Sequence, residues 1–318
     1  MKKLLALGLV VMMLLATTVC AFAEEQPYIG FCNMFMSEDF FITVSKGLHA
    51  AAEKNGIKLE ENFAQRDAVV MTQAIETYVT KGVDLVIDFN VLAETGSSIA
   101  AELKAKGIPM ISIDCIYQDA YFFGVNNYGA GEALGDAAVI QAQKKFGDKL
   151  DFIVNLYDAT SGDEIKKRND GVVDKLKVVY ADAEVVWLDS QADDVKTAAM
   201  TRDWLNAHPD AHKIVFVGQN DDRGYAINTV VENEGRRDDS IIVSHNADPG
   251  AIENLKNHKD GSTAWLCTAS YNSHLYGEQV IDMAMRILKG EPADQMEYTK
   301  VTVVTPENLD EYLASLPA

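Results

Sequence analysis

The regular alternation of short β-branched segments with longer amphipathic ones is the feature of this sequence that most restricts its fold. In the first half, apolar segments begin at positions 28, 57, 83 and 109, with helical periodicity between them. The helices are predicted to end at Asn55-Gly56, Lys81-Gly82 and Lys106-Gly107, because glycine accepts the left-handed conformation that closes a helix. A repeated strand-helix unit of this length predicts a parallel sheet covered by helices on both faces.

The same spacing returns in the second half, where apolar segments begin at 152, 184, 213, 240 and 263. A last helix is predicted over 275–288 and a last strand over 300–304. No linker rich in proline, glycine or serine separates the halves, and the turn 124–127 is the candidate boundary. The sequence therefore predicts an α/β protein of two doubly wound parallel-sheet lobes, joined by a hinge rather than by a flexible tether.

The first 23 residues have the three parts of a secretory signal peptide. Lys2 and Lys3 precede an apolar run over 4–15, and Ala21-Phe22-Ala23 provides the small residues that signal peptidase reads. We predict cleavage after Ala23 and a periplasmic or other extracytoplasmic location. Two alternatives are a membrane anchor, which needs about 20 continuous apolar residues, and lipidation at Cys20. Thr17 and Thr18 interrupt the apolar run, which argues against the anchor. They also differ from the residues that usually precede a lipidated cysteine.

The composition excludes several classes of function. The chain has 318 residues, with 48 Asp and Glu against 28 Lys and Arg, a net charge of −20 and a 48% apolar share. An apolar share of this size supports an ample core. A negative surface repels phosphate backbones and anionic lipids, so we expect neither nucleic acid nor a membrane surface as a partner.

Cysteine usage does not indicate a disulfide framework. Only Cys32, Cys115 and Cys267 remain after the predicted cleavage, an odd number at wide spacing. We expect buried free thiols, which behave as small apolar side chains. A single bridge between Cys32 and Cys115 stays open as an alternative, since an exported protein would permit it.

Motifs of the common enzyme classes are absent from the sequence. There is no P-loop, no GxGxxG after the first strand, no GxSxG, no HExxH and no CxxC. His208 and His212 flank a Pro209-Asp210 turn, which indicates a solvated loop rather than a metal site. We therefore expect no catalytic residue, no metal and no cofactor.

The carboxyl ends of the predicted strands carry polar and aromatic residues, and this is where open α/β sheets bind ligands. Asp88 and Asp114 each close an apolar strand, and a buried carboxylate there needs a partner. Phe40 and Phe41 are neighbours on a helix and diverge, so one is expected to face a cleft. Arg168 lies in a basic run that could also be a solvated face. Carboxylates, amides, a guanidinium and aromatic rings together suit a polyhydroxylated ligand.

At these positions the chain resembles a known family, the ribose/galactose group of periplasmic sugar-binding proteins, which are the type I solute-binding components of ABC importers. The resemblance extends over residues 26–304. The segments that carry it are Glu38-Asp39-Phe40-Phe41, Asp84-Leu85-Val86-Ile87-Asp88, Ile108-Pro109-Met110-Ile111-Ser112-Ile113-Asp114, Val125-Asn126-Asn127, Gly131, Gly135-Asp136, Ala207-His208-Pro209-Asp210, Gln219-Asn220-Asp221 and Leu288-Lys289-Gly290-Glu291.

The resemblance implies two lobes that close on a sugar, with the chain crossing the hinge near Asn126, Thr268 and Thr299. The first lobe would contain 24–125 and 269–299, and the second 126–268 and 300–318. Carried over position by position, the family's ligand contacts fall on Glu38, Phe40, Phe41, Asp88, Asp114, Cys115, Arg168, Asn220, Asn246 and Thr268.

Three departures from the family's pattern bear on the ligand. Cys115 stands where ribose-type members have an arginine, Asn246 replaces an aspartate, and Asp88 replaces an amide. Ribose itself is therefore in doubt, and another monosaccharide or a small neutral polyol is an equal candidate. A calcium loop like that of galactose-type members is not evident.

The resemblance further implies a monomer that presents its closed form to the permease of an ABC importer. A chemoreceptor or sensor kinase is an alternative partner that the sequence does not separate from the permease. Two other classes rank lower. A sugar-responsive transcription regulator would carry a basic helix-turn-helix where this chain has an export signal, and a secreted carbohydrate-active enzyme would need two carboxylates across a scissile bond.

Overall fold

Two six-stranded sheets, each flanked by helices, form the protein. The computed structural model describes residues 26–260 and 262–316, so the predicted signal peptide lies outside the described residues. The strands are β1 (Tyr28–Asn33), β2 (Lys58–Phe63), β3 (Leu85–Phe89), β4 (Met110–Ile113), β5 (Tyr121–Gly124), β6 (Phe152–Tyr157), β7 (Glu184–Asp189), β8 (Ile214–Gly218), β9 (Ser240–Asn246), β10 (Trp265–Ser270), β11 (Met296–Tyr298) and β12 (Thr302–Val304).

Four helices begin directly after a residue whose side chain caps the first turn. Side-chain oxygens of Asp67, Asn126, Asp193 and Asn220 accept hydrogen bonds from backbone N–H groups of the first turn. Gly56, Gly82 and Gly107 have φ of 68°, 77° and 74°, which confirms the predicted ends. The helices are α1 (Asp39–Lys54), α2 (Ala68–Thr80), α3 (Ala93–Ala105), α4 (Asn127–Phe146), α5 (Gly162–Val179), α6 (Asp194–Ala207), α7 (Asp221–Asn233), α8 (Pro249–Asn257), α9 (Ser273–Leu288) and α10 (Leu309–Ser315).

The strand order is doubly wound in both sheets. The first sheet runs β11-β5-β4-β3-β1-β2 and the second β12-β10-β9-β8-β6-β7. Every pairing is parallel except that of β10 with β12, which is antiparallel. The predicted class of two parallel-sheet lobes is thereby confirmed. Strands β5 and β11, of four and three residues, were not predicted.

The chain passes between the two sheets three times. It leaves the first sheet after Gly124, returns after Ser270, and leaves again after Tyr298. Helix α9 therefore packs on α1 beside the first sheet, although it follows the strands of the second. The second crossing lies at Tyr271 and Asn272, three and four residues beyond the predicted Thr268.

An apolar core continues through both lobes. One cluster of buried side chains extends from β1, β3 and α1 of the first lobe to α4, α5 and β8–β10 of the second. Separate clusters cover the outer face of each sheet. The close approach of α1 and α9 depends on two glycines, since a Cβ on Gly277 would come within 2.0 Å of the Gly47 backbone.

Candidate ligand-binding cleft

A cavity lies where the carboxyl ends of the strands of the two lobes face each other. It contains about 560 Å³ free of protein atoms, a volume that includes space open to solvent. Its lining residues are Met34, Phe35, Glu38, Phe40, Phe41, Arg66, Phe89, Val91, Asp114, Ser161, Ile165, Arg168, Ala192, Gln219, Asn220, Arg223, Asn246 and Tyr271.

Aromatic rings form much of the wall on the first lobe. Phe41 lies 4.4 Å from Phe89 and 5.3 Å from Phe35 between ring centroids, and Phe40 lies 5.9 Å from Phe89. Phe40 and Phe41 both line the cavity, and both are buried at its base. We expected the two neighbours to diverge, with one facing the cleft, whereas both line the cavity and both belong to the same buried core cluster. The tilted, edge-on packing of the cluster allows both adjacent rings to reach the same side.

Arg168 projects from α5 into the second-lobe side of the cavity. Its guanidinium donates to Asn127 Oδ1 at 3.0 and 2.8 Å and to the Gln219 carbonyl at 3.3 Å. It also lies over the ring of Tyr271, 5.2 Å from the centroid. These contacts hold a buried cation in one orientation with neutral acceptors, and they leave part of its positive charge available to a ligand.

Asp114 follows β4 and faces the same cavity from the first lobe. Its Oδ1 accepts hydrogen bonds from the Val125 N–H at 3.1 Å and from the Tyr276 hydroxyl at 3.2 Å. Burial raises the pKa of Asp114 to about 6, although the charge of Arg168 opposes the shift. The carboxyl is thus fixed beside the hinge, opposite a guanidinium of the other lobe.

A second group of charges lies at the other end of the cleft. Burial and the neighbouring carboxylate of Asp222 raise the pKa of Glu38 to about 8. Arg223 forms an ion pair with Asp194. Asn220 caps α7 by accepting from the Arg223 N–H at 3.2 Å, and its amide donates to Asp222 at 3.1 Å.

Several lining residues have a strained backbone. Arg66, Val91, Asp114, Ala192 and Asn246 have φ of 62°, 45°, 59°, 51° and 117°, and all five line the cavity. Non-glycine residues rarely adopt this region, and each such residue costs roughly 1–3 kcal/mol unless its surroundings impose it. Strain concentrated in this way is typical of functional sites.

The structure brings together seven of the ten residues that the sequence predicts for the site. Asn246 is buried at the end of β9, and its amide donates to Asp248 at 3.2 Å. The seven that line the cavity are Glu38, Phe40, Phe41, Asp114, Arg168, Asn220 and Asn246.

Asp88, Cys115 and Thr268 lie outside the cavity lining, which corrects their predicted position. Strand β3 continues to Phe89, so Asp88 lies within it and alternation directs its side chain to the outer face. There it accepts hydrogen bonds from Asn90 and from the Tyr117 hydroxyl, the latter at 3.1 Å. Cys115 is buried in the same outer cluster.

Thr268 lies in the middle of β10, inside the second lobe. Its hydroxyl donates to Asp221 Oδ1 at 2.8 Å and accepts from the Ala247 N–H at 3.0 Å. It therefore supports the loop that carries Asn246. Cys32, Cys115 and Cys267 are buried free thiols, as expected, with no bridge between the first two.

Sequence reasoning missed Arg66, Gln219 and Tyr271. Gln219 stands directly before the predicted Asn220, and its position at the end of β8 was a usable signal. Tyr271 lies at a hinge crossing, where its hydroxyl hydrogen-bonds His245 Nδ1 at 2.8 Å and its ring packs 6.1 Å from Phe40. No local pattern distinguishes Arg66, whose partner belongs to the other lobe.

Two kinds of feature are absent from the described residues. Across 26–260 and 262–316, no three side chains of His, Cys, Asp or Glu are grouped to hold a metal ion. Over the same ranges, no helix has the length and apolar character needed to cross a membrane.

Comparisons with known proteins agree with this geometry. The chain is 23% identical over 273 residues to the ribose import binding protein RbsB of Bacillus subtilis, covering 84% of each protein. It is 24% identical over 274 residues to a xylitol-binding protein of Mycolicibacterium smegmatis, covering 85% of this chain and 75% of that protein.

Solved structures show the same fold. An ABC transporter solute-binding protein from Mycobacterium smegmatis with bound glycerol matches with a TM-score of 0.80 at 21% identity, over 90% of this chain and 96% of that one. A Bacillus halodurans solute-binding protein with bound myo-inositol matches with a TM-score of 0.80 at 20% identity, over 92% and 98%. A family model described as a periplasmic binding protein domain matches residues 29–292. The chain therefore belongs to the periplasmic binding protein family and has its type I fold.

Proposed function

We propose that this protein captures a monosaccharide or a small polyol between its lobes and delivers it to an ABC importer. The observation that carries the proposal is the cleft itself, because both lobes contribute polar groups to one cavity. Asp114 from the first lobe and Arg168 from the second face the same cavity. A ligand that bonds both of them would stabilise the closed form relative to the open one.

Sheet membership supports a closure mechanism of this kind. The predicted lobes are 24–125 with 269–299 and 126–268 with 300–318, and we move the second boundary to 270/271 because β10 continues to Ser270 in the second sheet. Strand β11 pairs with β5, and β12 pairs with β10, in agreement with this division. Rotation of the lobes would then be absorbed by the three crossing segments.

The ligand class rests on the chemistry of the cavity and on the relatives. Amides, carboxyls and a guanidinium hydrogen-bond hydroxyl groups, and aromatic faces cover the C–H side of a sugar. Two similar proteins are named for ribose and xylitol, and two similar structures hold glycerol and myo-inositol. We infer that the protein binds its ligand without chemical turnover, acts as a monomer, and works outside the cytoplasmic membrane after cleavage at Ala23.

Calorimetric titration of the mature protein tests ligand capture. Pentoses, hexoses and polyols are first screened by thermal shift, since a ligand that binds only the folded form raises the melting temperature. Asp114→Ala and Arg168→Ala should each weaken binding by more than about tenfold, or about 1.4 kcal/mol. Asp203→Ala and Arg202→Ala, on an exposed face of α6, are the matched controls. If both cleft variants keep the affinity within about threefold, the assignment is wrong.

Delivery requires a separate measurement. Uptake of the radiolabelled ligand by cells that lack the endogenous gene should be restored by the wild-type chain but not by Arg168→Ala. Presentation to a chemoreceptor or sensor kinase stays a prediction, with the same closed form as the recognised state.

A further inference from the structure

The two walls of the cleft differ in chemistry. On the first lobe, six lining side chains are apolar and three, those of Glu38, Arg66 and Asp114, are polar. Arg66 is ion-paired with Asp158, and Asp114 accepts two hydrogen bonds within its own lobe. The apolar residues of this wall are Met34, Phe35, Phe40, Phe41, Phe89 and Val91.

The second-lobe wall carries hydrogen-bonding groups that have capacity left. Gln219 is 6% exposed, and its Oε1 accepts from the Asp158 N–H at 2.9 Å. Its Nε2 is buried with no partner among the described residues. An unpaired donor in a cleft is costly unless a ligand acceptor satisfies it. Arg168, Asn220 and Ser161 line the same side.

Val91 contributes to the apolar wall although its backbone conformation disfavours a β-branched residue. This residue follows β3 with φ of 45°, where a β-branched side chain is a genuine outlier and glycine or asparagine would fit without strain. Its side chain packs against the buried clusters of the first lobe and also lines the cavity. The strained position therefore presents a branched aliphatic group to the ligand.

We propose that the ligand is a sugar with one deoxygenated, methyl-like position, which lies against Val91 and Phe89 while its hydroxyls face Asp114 and the second lobe. This inference rests on the proposed function and narrows its ligand class. A hydroxyl buried against the apolar residues of the first-lobe wall, rather than beside Asp114 or Glu38, would lose its hydrogen bonds to water and find no partner there. A methyl or methylene group at the same place gains from burial.

Matched sugar pairs test the proposal by calorimetry on the mature wild-type protein. The pairs are D-fucose with D-galactose, L-rhamnose with L-mannose, and 5-deoxy-D-ribose with D-ribose. We expect the deoxy member of at least one pair to bind about tenfold or more tightly than its parent, about 1.4 kcal/mol. If the parent binds as tightly or more tightly in every pair that binds, the inference is overturned.

The other outcomes separate this inference from the proposed function. Binding of fully hydroxylated polyols alone, such as xylitol or myo-inositol, overturns the deoxy preference but leaves capture by the cleft standing. Binding of no sugar and no polyol rejects both.

Variants at Val91 test whether this residue causes the preference for a deoxy sugar over its parent. Val91→Thr keeps the branched shape and adds a hydroxyl, so the ratio of deoxy to parent affinity should fall at least threefold. Val178→Thr, on α5 at a residue 82% exposed, is the matched control and should leave the ratio unchanged. Val91→Gly relieves the backbone strain and removes the side chain, so it should also lower the ratio while the melting temperature is maintained. An unchanged ratio in both Val91 variants would contradict the proposal.

Discussion

The guanidinium of Arg66 and the carboxylate of Asp158 form an ion pair across the mouth of the cleft, with Nη2 2.8 Å from Oδ2. Arg66 follows β2 in the first lobe, and Asp158 follows β6 in the second. The Asp158 side chain is 1% exposed, and Oδ1 accepts from the Thr160 N–H at 3.0 Å. Burial opposes ionisation, yet hydrogen bonds from Ser161 and the charge of Arg66 keep the pKa of Asp158 below its usual value. The pair thus joins the lobes directly, without a ligand between them.

Removal of this pair should shift the protein toward the open form. We expect Arg66→Ala to weaken ligand binding by about 5- to 50-fold, because closure then lacks a partly desolvated ion pair. A double-mutant cycle with Asp158→Asn, read out by calorimetry, should give a coupling energy of about 1–2 kcal/mol. Arg202→Ala removes an exposed pair with Glu234 and is the control. Additive effects of Arg66→Ala and Asp158→Asn, within about 0.3 kcal/mol, would contradict a direct contribution of the pair to closure.

Asp88 should make the stability of the protein depend on pH. Burial raises the pKa of Asp88 to about 7, above the value near 4 of an unfolded aspartate, while hydrogen bonds from Asn90 and Tyr117 oppose the shift. Between about pH 4 and 7 the folded state retains a proton that the unfolded state releases, so this contribution to stability is lost as pH rises. Asp88→Asn should therefore raise the free energy of unfolding at pH 8 by about 2–4 kcal/mol relative to its effect at pH 4.

Urea denaturation at pH 4, 6 and 8 measures this difference. Asp203→Asn, at an exposed position of α6, controls for the change in net charge. An equal effect of Asp88→Asn at all three pH values would show that Asp88 does not titrate in this window.

The contact between α1 and α9 should not tolerate a larger residue. Gly277→Ala places a methyl group 2.0 Å from the Gly47 backbone, and no flexible side chain there can move aside. We expect a loss of about 1–3 kcal/mol or more in unfolding free energy, since the helices must separate. Gly250→Ala, in α8 with nothing within 4 Å of the added carbon, is the matched control. A melting temperature for Gly277→Ala equal to that of the control would refute the tight crossing.

The export signal predicts the amino terminus of the mature protein. When the full chain is expressed with a functional export pathway, Edman sequencing of the extracytoplasmic form should begin at Glu24. Ala23→Phe should slow processing, because signal peptidase requires a small residue at this position. Ala16→Val, farther from the cleavage site, is the control. A mature chain that begins at a lipid-modified Cys20 would favour the alternative anchor.

Much of the site could be predicted because it depends on the ends of strands. In a parallel sheet the carboxyl ends meet at one edge, so Asp114, Asn220 and Asn246 come together wherever the strand boundaries are approximately right. The Phe40-Phe41 pair lies in the first turn of the helix after β1, and Arg168 lies in the second turn of the helix after β6. These positions tolerate an error of one or two residues in the predicted boundary.

The predicted direction of a side chain is, in contrast, sensitive to an error in the strand boundary. Strand residues alternate between faces, so a strand that ends two residues later turns an expected loop residue into an internal one. Asp88 and Thr268 were misplaced for this reason, and Cys115 turned toward the outer cluster beside Tyr117. The same alternation directs Phe89, the neighbour of Asp88, into the cavity.

The sequence by itself determined the two-lobe α/β fold and the edge on which the cleft opens, because βα periodicity and strand ends are local properties of the chain. Only the tertiary structure decided which side chains share the cavity across the lobes. The pairing of Arg66 with Asp158 joins residues 92 positions apart, and the strained backbone of Val91 follows from packing on both sides of β3. Such contacts depend on how the two sheets pack against each other, and no sequence pattern within either half predicts that packing.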